Sequence, residues 1–328
     1  MTALRDSEQS TGSTAIGVDV GGTKIAAGVV TSEGRIVERV SPLRTPSSSQ
    51  DALIEALYRL IGELRNRHPE TRAIGVGAAG LVDWPEGFIR WAPNNSYRAL
   101  ALRTILENAT GLHTVVDNDA NVAAWGEACL DSSASYMAIL TIGTGIGGGI
   151  VLDGQLYRGK TGLGAEVGHL IVDPYSNYHC SCGNVGCLEA LASGTALQRY
   201  GQDAAADEPD GMIASLAPSP EDVTGWTVHK AARAGDATAR LLFRRMGQWL
   251  GVGIASLVNV FDLERIVIGG GLVDAADLFL DSARASVEQY AFARQHRKLP
   301  PISLARLGTD AGWMGAGLLA LGRKIPRD

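Results

Sequence analysis

Apolar and polar positions follow two rhythms along this chain. From Ala15 onward, AIGVDVGGTKIAAGVV and SEGRIVERV are short β-branched runs. They are broken by Gly21-Gly22-Thr23-Lys24 and by Ser32-Glu33-Gly34, which predicts strand, turn, strand, turn, strand. From Gln50 to His68 the spacing changes to that of a helix, with Leu53, Leu57, Leu60, Ile61 and Leu64 on one face. The run from Arg72 to Leu81 reads as a buried strand ending in a glycine turn. Trp84 to Tyr97, with Pro85, Pro93 and Asn94-Asn95, reads as a loop. Ala99 to Thr110 is a predicted helix closed by Gly111, followed by a strand at His113 to Val116 and a helix at Val122 to Leu130.

The strand–turn–strand pattern returns at Tyr136 to Leu152, YMAILTIGTGIGGGIVL, around Gly143-Thr144-Gly145. Gln202 to Gly225, rich in Ala, Asp, Pro and Ser, is expected to be an exposed loop. Val228 to Val260 is mostly helical, a strand runs into Gly269-Gly270-Gly271 ahead of another helix, and Ala311 to Gly322 forms the last helix. Strands alternating with helices predict an α/β fold. Two like glycine hairpins, each heading an α/β half, suggest an internal duplication. The expected domains are a disordered polar leader over 1–14, a smaller domain over 15–116 that the C-terminal helix 311–324 joins, and a larger one over 117–310.

Composition narrows the function classes. The 328 residues suffice for two domains with ample cores, and 45% hydrophobic with 20% charged residues is an ordinary globular balance. A net charge of −6 argues against nucleic acid as the main partner. No apolar run reaches the length of a membrane span and no signal peptide is visible, so a cytoplasmic location is expected.

Three of the four cysteines, Cys180, Cys182 and Cys187, cluster downstream of His169. One imidazole and three thiols are enough for a closed tetrahedral zinc site. Such a site staples a loop; it would also aim the flanking carboxylates Glu166 and Glu189. Cys129 stands apart and reads as a small buried apolar residue.

The glycines at Gly21 and Gly143 are followed by strands, whereas a Walker loop or a dinucleotide fingerprint needs a helix there. These turns are either phosphate loops built on hairpins or plain glycine hairpins. In the first reading backbone amides, Thr23 and Lys24 face phosphate oxygens and Asp19 faces hydrated magnesium. Gly269 and Gly270 leave room for an adenine or ribose, or simply let helix and strand pack. Asp117-Asn118-Asp119-Ala120-Asn121 joins a strand to a helix. Asn118 or Asp119 can be the helix N-cap. A carboxylate at that place can also take a proton from a substrate hydroxyl during attack on a γ-phosphate.

Together DVGGTK (Asp19 to Lys24), NDAN (Asn118 to Asn121), TIGTGIGGG (Thr141 to Gly149), EVGH (Glu166 to His169) and CSCGNVGCLE (Cys180 to Glu189) resemble the ROK family of repressors and sugar kinases. The resemblance runs from Ala15 to about Gly322 and is greatest to glucokinases of Gram-positive bacteria. It implies an actin-like, ribonuclease-H-like duplicated fold of two domains with the sugar in a cleft between them. It implies Asp119 as general base and Gly80, Asn118, Glu166, His169 and Glu189 around the sugar. Asp19, Gly22, Thr23, Lys24, Gly143, Thr144, Gly145, Gly269 and Gly270 would serve ATP with Mg²⁺. Structural Zn²⁺ would sit on His169, Cys180, Cys182 and Cys187. A homodimer or homotetramer is the expected assembly.

Two segments depart from the family pattern. A tryptophan usually follows the APN turn, where this chain has APNNSYRAL with Tyr97 near that place. An extra histidine, His179, precedes the first zinc cysteine. Both segments are expected to border the sugar pocket and leave the exact sugar open: glucose, another hexose, an N-acetylhexosamine or a cyclitol. The phosphate donor is open between ATP and polyphosphate. A repressor of this family needs an N-terminal helix-turn-helix, for which the short leader is expected to leave no room. A non-catalytic sugar-binding protein would be expected to lack Asp119 or a phosphate loop.

Overall fold

The computed structural model describes residues 12–92, 97–130 and 135–325. The expected leader lies almost wholly outside these residues, and so does the Pro93-Asn94-Asn95 turn. The chain divides into two compact units, the first formed by residues up to Leu130 together with Asp310–Lys324, the second chiefly by Asp131–Thr309.

In the first unit, β1 (Thr14–Val20), β2 (Lys24–Thr31) and β3 (Ile36–Arg44) form an antiparallel meander. Helix α1 (Gln50–Arg67) follows, capped by Ser49, and buries the five predicted apolar residues. Then come β4 (Ala73–Ala78), β5 (Leu81–Asp83), β6 (Phe88–Trp91) and β7 (Arg98–Leu100). Helix α2 (Leu102–Thr110), β8 (His113–Asn118) and α3 (Asp119–Leu130) complete the continuous part. The sheet order is β3-β2-β1-β4-β8, with β4 and β8 parallel to β1.

The second unit repeats the plan. Strands β9 (Met137–Ile142), β10 (Ile146–Leu152) and β11 (Gln155–Tyr157) form the meander. Helices α4 (Leu188–Ala192), α5 (Gly194–Asp207), α6 (Met212–Ser215), α7 (Gly225–Arg233) and α8 (Ala237–Phe261) follow. Next are β12 (Arg265–Gly269), α9 (Ala276–Tyr290) and β13 (Ile302–Leu304). The order β11-β10-β9-β12-β13 has two antiparallel and then two parallel pairings, matching the first sheet strand for strand. This is the internal duplication suggested by the paired hairpins, in the actin-like arrangement that the family resemblance implies.

The last helix, α10 (Ala311–Ala320), returns to the first unit. It lies directly on the backbone of the sheet. A Cβ on Gly17 would stand 1.8 Å from the Trp313 carbonyl oxygen, and one on Gly75 would stand 1.8 Å from that of Ala316. On another side of α10, a Cβ on Gly315 would stand 1.7 Å from the carbonyl oxygen of Val122 in α3. This packing explains why the first unit runs through α3 to Leu130, beyond Val116, where the strand pattern alone puts the end of the first half.

Two segments differ from the expectation drawn from composition. Residues between Trp84 and Tyr97 are not all loop, because Phe88–Trp91 pairs with β5 and with Arg98–Leu100 in a small antiparallel sheet. That pairing also delays the start of α2 to Leu102. Gln202 to Gly225 is largely helical rather than an exposed loop. Its alanines favour helix, Ser193 caps α5, and Ala205, Ile213 and Val223 are buried in the core.

The glycine packing gives a direct test. Gly75→Ala is expected to destabilise the protein by about 3 kcal/mol or more, since backbone must move to admit the methyl group. Gly62→Ala in α1, where nothing lies within 4 Å, should be neutral or stabilising by up to about 1 kcal/mol. Denaturant melts of both variants compare them; equal effects would rule out the packing argument.

Candidate active site and metal centre

In the first unit the predicted residues meet at the C-terminal ends of three parallel strands. Asp19 of β1 is in register with Gly77 of β4, and Gly77 with Asp117 of β8. The turn after β1 is closed by the Gly21 amide, which donates to the Lys24 carbonyl at 3.1 Å. Thr45 holds the turn from behind. Its hydroxyl donates to the Gly21 carbonyl at 2.8 Å and its amide to the Thr23 carbonyl at 3.0 Å. Gly22, Thr23 and Lys24 are left exposed at the tip.

The β8–α3 junction separates two roles that the sequence left together. Asn118 caps the helix, its Oδ1 accepting from the amides of Ala120 at 2.9 Å and Asn121 at 3.2 Å. Its Nδ2 donates to the Gly80 carbonyl at 3.2 Å, which brings Gly80 to the same place. Gly80 has φ +116°, and a Cβ there would strike the Trp91 carbonyl. Buried Asp117 fixes the junction by accepting from the Asn118 amide at 2.8 Å and from Asn121 Nδ2 at 3.0 Å.

With the capping role taken by Asn118, Asp119 has its carboxylate available, apart from a contact between Oδ1 and the neighbouring Ala120 amide at 2.9 Å. Burial raises the Asp119 pKa. Asp19 is pushed up to about 7, first by burial and then by the negative charge of Asp119, against the pull of Lys24. The Asp19 carboxylate also lies against α10, where a Cβ on Gly312 would stand 2.4 Å from its Oδ2. Two carboxylates that raise the proton affinity of this region are suited to a cation and to accepting a proton.

Tyr97 turns inward rather than facing solvent. It is fully buried in the core of the first unit, and its hydroxyl donates to the Ala79 carbonyl at 2.9 Å. The apolar neighbours Ile89, Ala92 and Leu100 in the same core explain its inward turn.

In the second unit the turn Gly143-Thr144-Gly145 sits against the start of α5. The amides of Gly194 and Thr195 donate to the carbonyls of Gly143 at 2.8 Å and Thr144 at 3.2 Å. The Thr195 hydroxyl also donates to the Thr144 carbonyl at 2.8 Å. Gly269 and Gly270 adjoin this turn. Gly269 pairs with Thr141, and Gly270, with φ +88°, passes so close to Ile142 that a Cβ would meet its carbonyl oxygen at 2.4 Å. The two glycine clusters of this unit therefore share one sheet end.

The ligand atoms of His169, Cys180, Cys182 and Cys187 all lie within 4.8 Å of one another. Cys182 Sγ is 3.7 Å from Cys187 Sγ, and Cys180 Sγ is 3.6 Å from His169 Nδ1. A tetrahedron with Zn–S of about 2.3 Å and Zn–N of about 2.0 Å has edges of roughly 3.5–3.8 Å. The donor set and spacing fit structural zinc, with Nδ1 as the ring ligand. Burial pushes the Cys187 thiol up to about 12 and raises Cys180 as well. His179 is exposed and stands outside the cluster.

Glu189 sits between the metal cluster and the glycine turn. Its Oε2 accepts from the Ile146 amide at 3.0 Å, and its Oε1 accepts from the Ser181 hydroxyl at 3.1 Å. Glu166 is exposed at the head of the short Val167–His169 turn that carries the imidazole. Ser181, Thr45 and Asp117 were not singled out from the sequence. Their spacing to Glu189, Gly21 and Asn121 carries no recognisable signature, since only folding brings the first two to their partners. Cys129, expected to be buried, is only partly so; the burial it has still pushes its thiol up to about 12.

The ROK family model matches residues 15–323. The chain belongs to the ROK family. Among curated relatives, this ROK chain is 39% identical over 310 residues to a glucokinase of Streptomyces coelicolor, covering 93% of this chain and 96% of that one. It is 37% identical over 314 residues to an N-acetylmannosamine kinase of Salmonella agona, covering 94% and 99%. Among solved structures it is similar to a ROK family glucokinase from Streptomyces griseus in complex with glucose and AMPPNP. The TM-score is 0.81 at 38% identity, covering 94% of this chain and 99% of that one.

Two measurements check the site. Metal analysis is expected to give about one zinc per chain, and Cys182→Ala should lose it with a lower melting temperature, since bound metal contributes folding free energy. Zinc-free protein of undiminished stability would contradict this. For Asp19 the folded pKa is raised from 3.8 to about 7. Its contribution to stability is therefore fully present below pH 3.8 and is lost as pH rises through about 7. Asp19→Asn removes that loss. In magnesium-free buffer it should raise the melting temperature by about 2–6 °C at pH 8 and by less at pH 5. An equal shift at both pH values would assign the effect to packing.

Proposed function

We propose that the protein is an ATP-dependent glucokinase that transfers the γ-phosphoryl group to the 6-hydroxyl of glucose, with Asp119 as general base. The observation that carries the assignment of the base is the division of labour at the β8–α3 junction. Asn118 supplies the helix cap, so Asp119 is not needed for it. Burial raises its proton affinity, which favours taking a hydroxyl proton. The glucokinase relatives at 39% identity and the S. griseus structure with glucose and AMPPNP support the sugar and the donor.

In the reaction Asp119 removes the proton from the 6-hydroxyl as that oxygen bonds to the γ-phosphorus, and the bond to the β-phosphate oxygen breaks to release ADP. Asn118, Gly80, Glu166, His169 and Glu189 orient the sugar through its ring hydroxyls. Thr23, Lys24 and the amides of Gly22, Gly143, Thr144 and Gly145 offset phosphate charge, while Gly269 and Gly270 admit the adenosine. Magnesium bound with ATP would neutralise charge on the transferring group, and Asp19 would be the carboxylate that helps hold it. His169 would hold zinc through Nδ1, which would leave Nε2 for the sugar. The enzyme acts in the cytoplasm as a homodimer or homotetramer. Similarity to N-acetylmannosamine kinase keeps an N-acetylhexosamine as the second candidate sugar.

A panel of sugars assayed with Mg-ATP and with polyphosphate ranks the substrates by kcat/KM, glucose with ATP being expected first. The base is tested by Asp119→Asn, since the amide leaves the Asn118 cap in place. The melting temperature should stay near wild type and glucose binding should persist. The kcat should fall by roughly 10²- to 10⁴-fold or more. A kcat within about threefold of wild type would remove Asp119 from the chemistry.

A further inference from the structure

The metal-binding loop and the Gly143–Gly145 turn are joined by one carboxylate. Glu189 Oε2 accepts from the amide of Ile146, the first residue after the turn. A Cβ on Gly145 would stand 2.3 Å from the same oxygen, so the carboxylate abuts the turn through Oε2. Oε1 is 3.1 Å from the Ser181 hydroxyl and 3.5 Å from Cys180 Sγ. A thiol at Cys180 donates to Oε1, but a metal-bound thiolate has no proton to donate. Ser181 then supplies the hydrogen bond that keeps Oε1 beside a negatively charged sulfur. Its backbone is fixed between two metal ligands, Cys180 and Cys182, so its hydroxyl is aimed by the metal loop.

Ile146 carries a second contact from the same region. A Cβ on Gly168, in the turn that holds His169, would stand 2.1 Å from the Ile146 carbonyl oxygen. The residue after the glycine turn is therefore gripped at its amide through Glu189 and abutted at its carbonyl by the turn bearing the fourth ligand.

We propose that Ser181 is a positioning residue, holding Glu189 so that the metal-binding loop sets the Gly143–Gly145 turn. The consequence for catalysis rests on the reading of that turn as a phosphate binder; the structural tie does not. Zinc-loaded Ser181→Ala should exchange the Ile146 amide proton with solvent about fivefold faster and raise the KM for ATP by about fivefold, the effect of losing one ordinary, solvent-exposed hydrogen bond. Ser181→Thr keeps the hydroxyl and should restore both values. Chelated, metal-free wild type should show the same faster exchange at Ile146. Hydrogen exchange needs no turnover, so it reports on the tie alone, and zinc content and melting temperature separate it from loss of the metal or of the fold. Unchanged protection of Ile146 in both Ser181→Ala and the metal-free protein would overturn the proposal. Faster exchange with an unaltered KM for ATP would keep the tie and overturn the phosphate reading of the turn.

Discussion

The first unit depends on a helix that touches backbone rather than side chains. Because Gly17 and Gly75 lack Cβ atoms, α10 settles onto β1 and β4 with carbonyl oxygens where methyl groups would otherwise stand. Because Gly315 also lacks one, α3 settles onto α10 in turn. Rigid backbone cannot yield as a flexible side chain does, so the positions of β1, β4, α10 and α3 are fixed together. Asp19 is next to last in β1 and Asp119 begins α3. The distance between the two carboxylates is thus set by glycines that are not themselves part of the chemistry.

That arrangement has an electrostatic cost. Asp19 and Asp119 each bind protons more tightly than a free carboxylate, from burial in both cases and from their mutual repulsion at Asp19. Lys24 offsets part of it. The same surplus of negative potential that weakens the unliganded protein above neutral pH is what a magnesium ion and a hydroxyl proton would relieve. On the proposed reading of this site, stability and function pull in opposite directions here.

Much of this was legible from local pattern. The glycine turns, the Cys–His block and the helix faces are each written in contiguous residues, where spacing determines geometry. Asn118 and Asp119 were legible as a pair, but not which of them caps α3, because both residue types cap well and only the hydrogen bonds divide them. The helices between Ser193 and Leu216 were hidden by a polar, alanine-rich composition that suits an exposed loop as well as a helix with one narrow buried face. Tyr97 was hidden for a different reason: an aromatic beside a polar turn faces core or solvent according to neighbours that arrive from distant strands. Ser181 and Thr45 likewise matter only for what the fold brings to them.

The bonds between α5 and the Gly143–Gly145 turn have one more effect. A helix begins with amides that need acceptors, and here the carbonyls of Gly143 and Thr144 take two of them. A trans peptide is planar, with its N–H opposite its C=O. If those carbonyls face the helix, the amides of Thr144 and Gly145 face away from it. The turn thus works as a relay: it absorbs the positive end of the helix dipole on one side and presents an equivalent positive end, one peptide layer further out, on the other. A hairpin placed this way gains the anion-attracting character of a helix start while keeping the helix itself out of contact with the ligand.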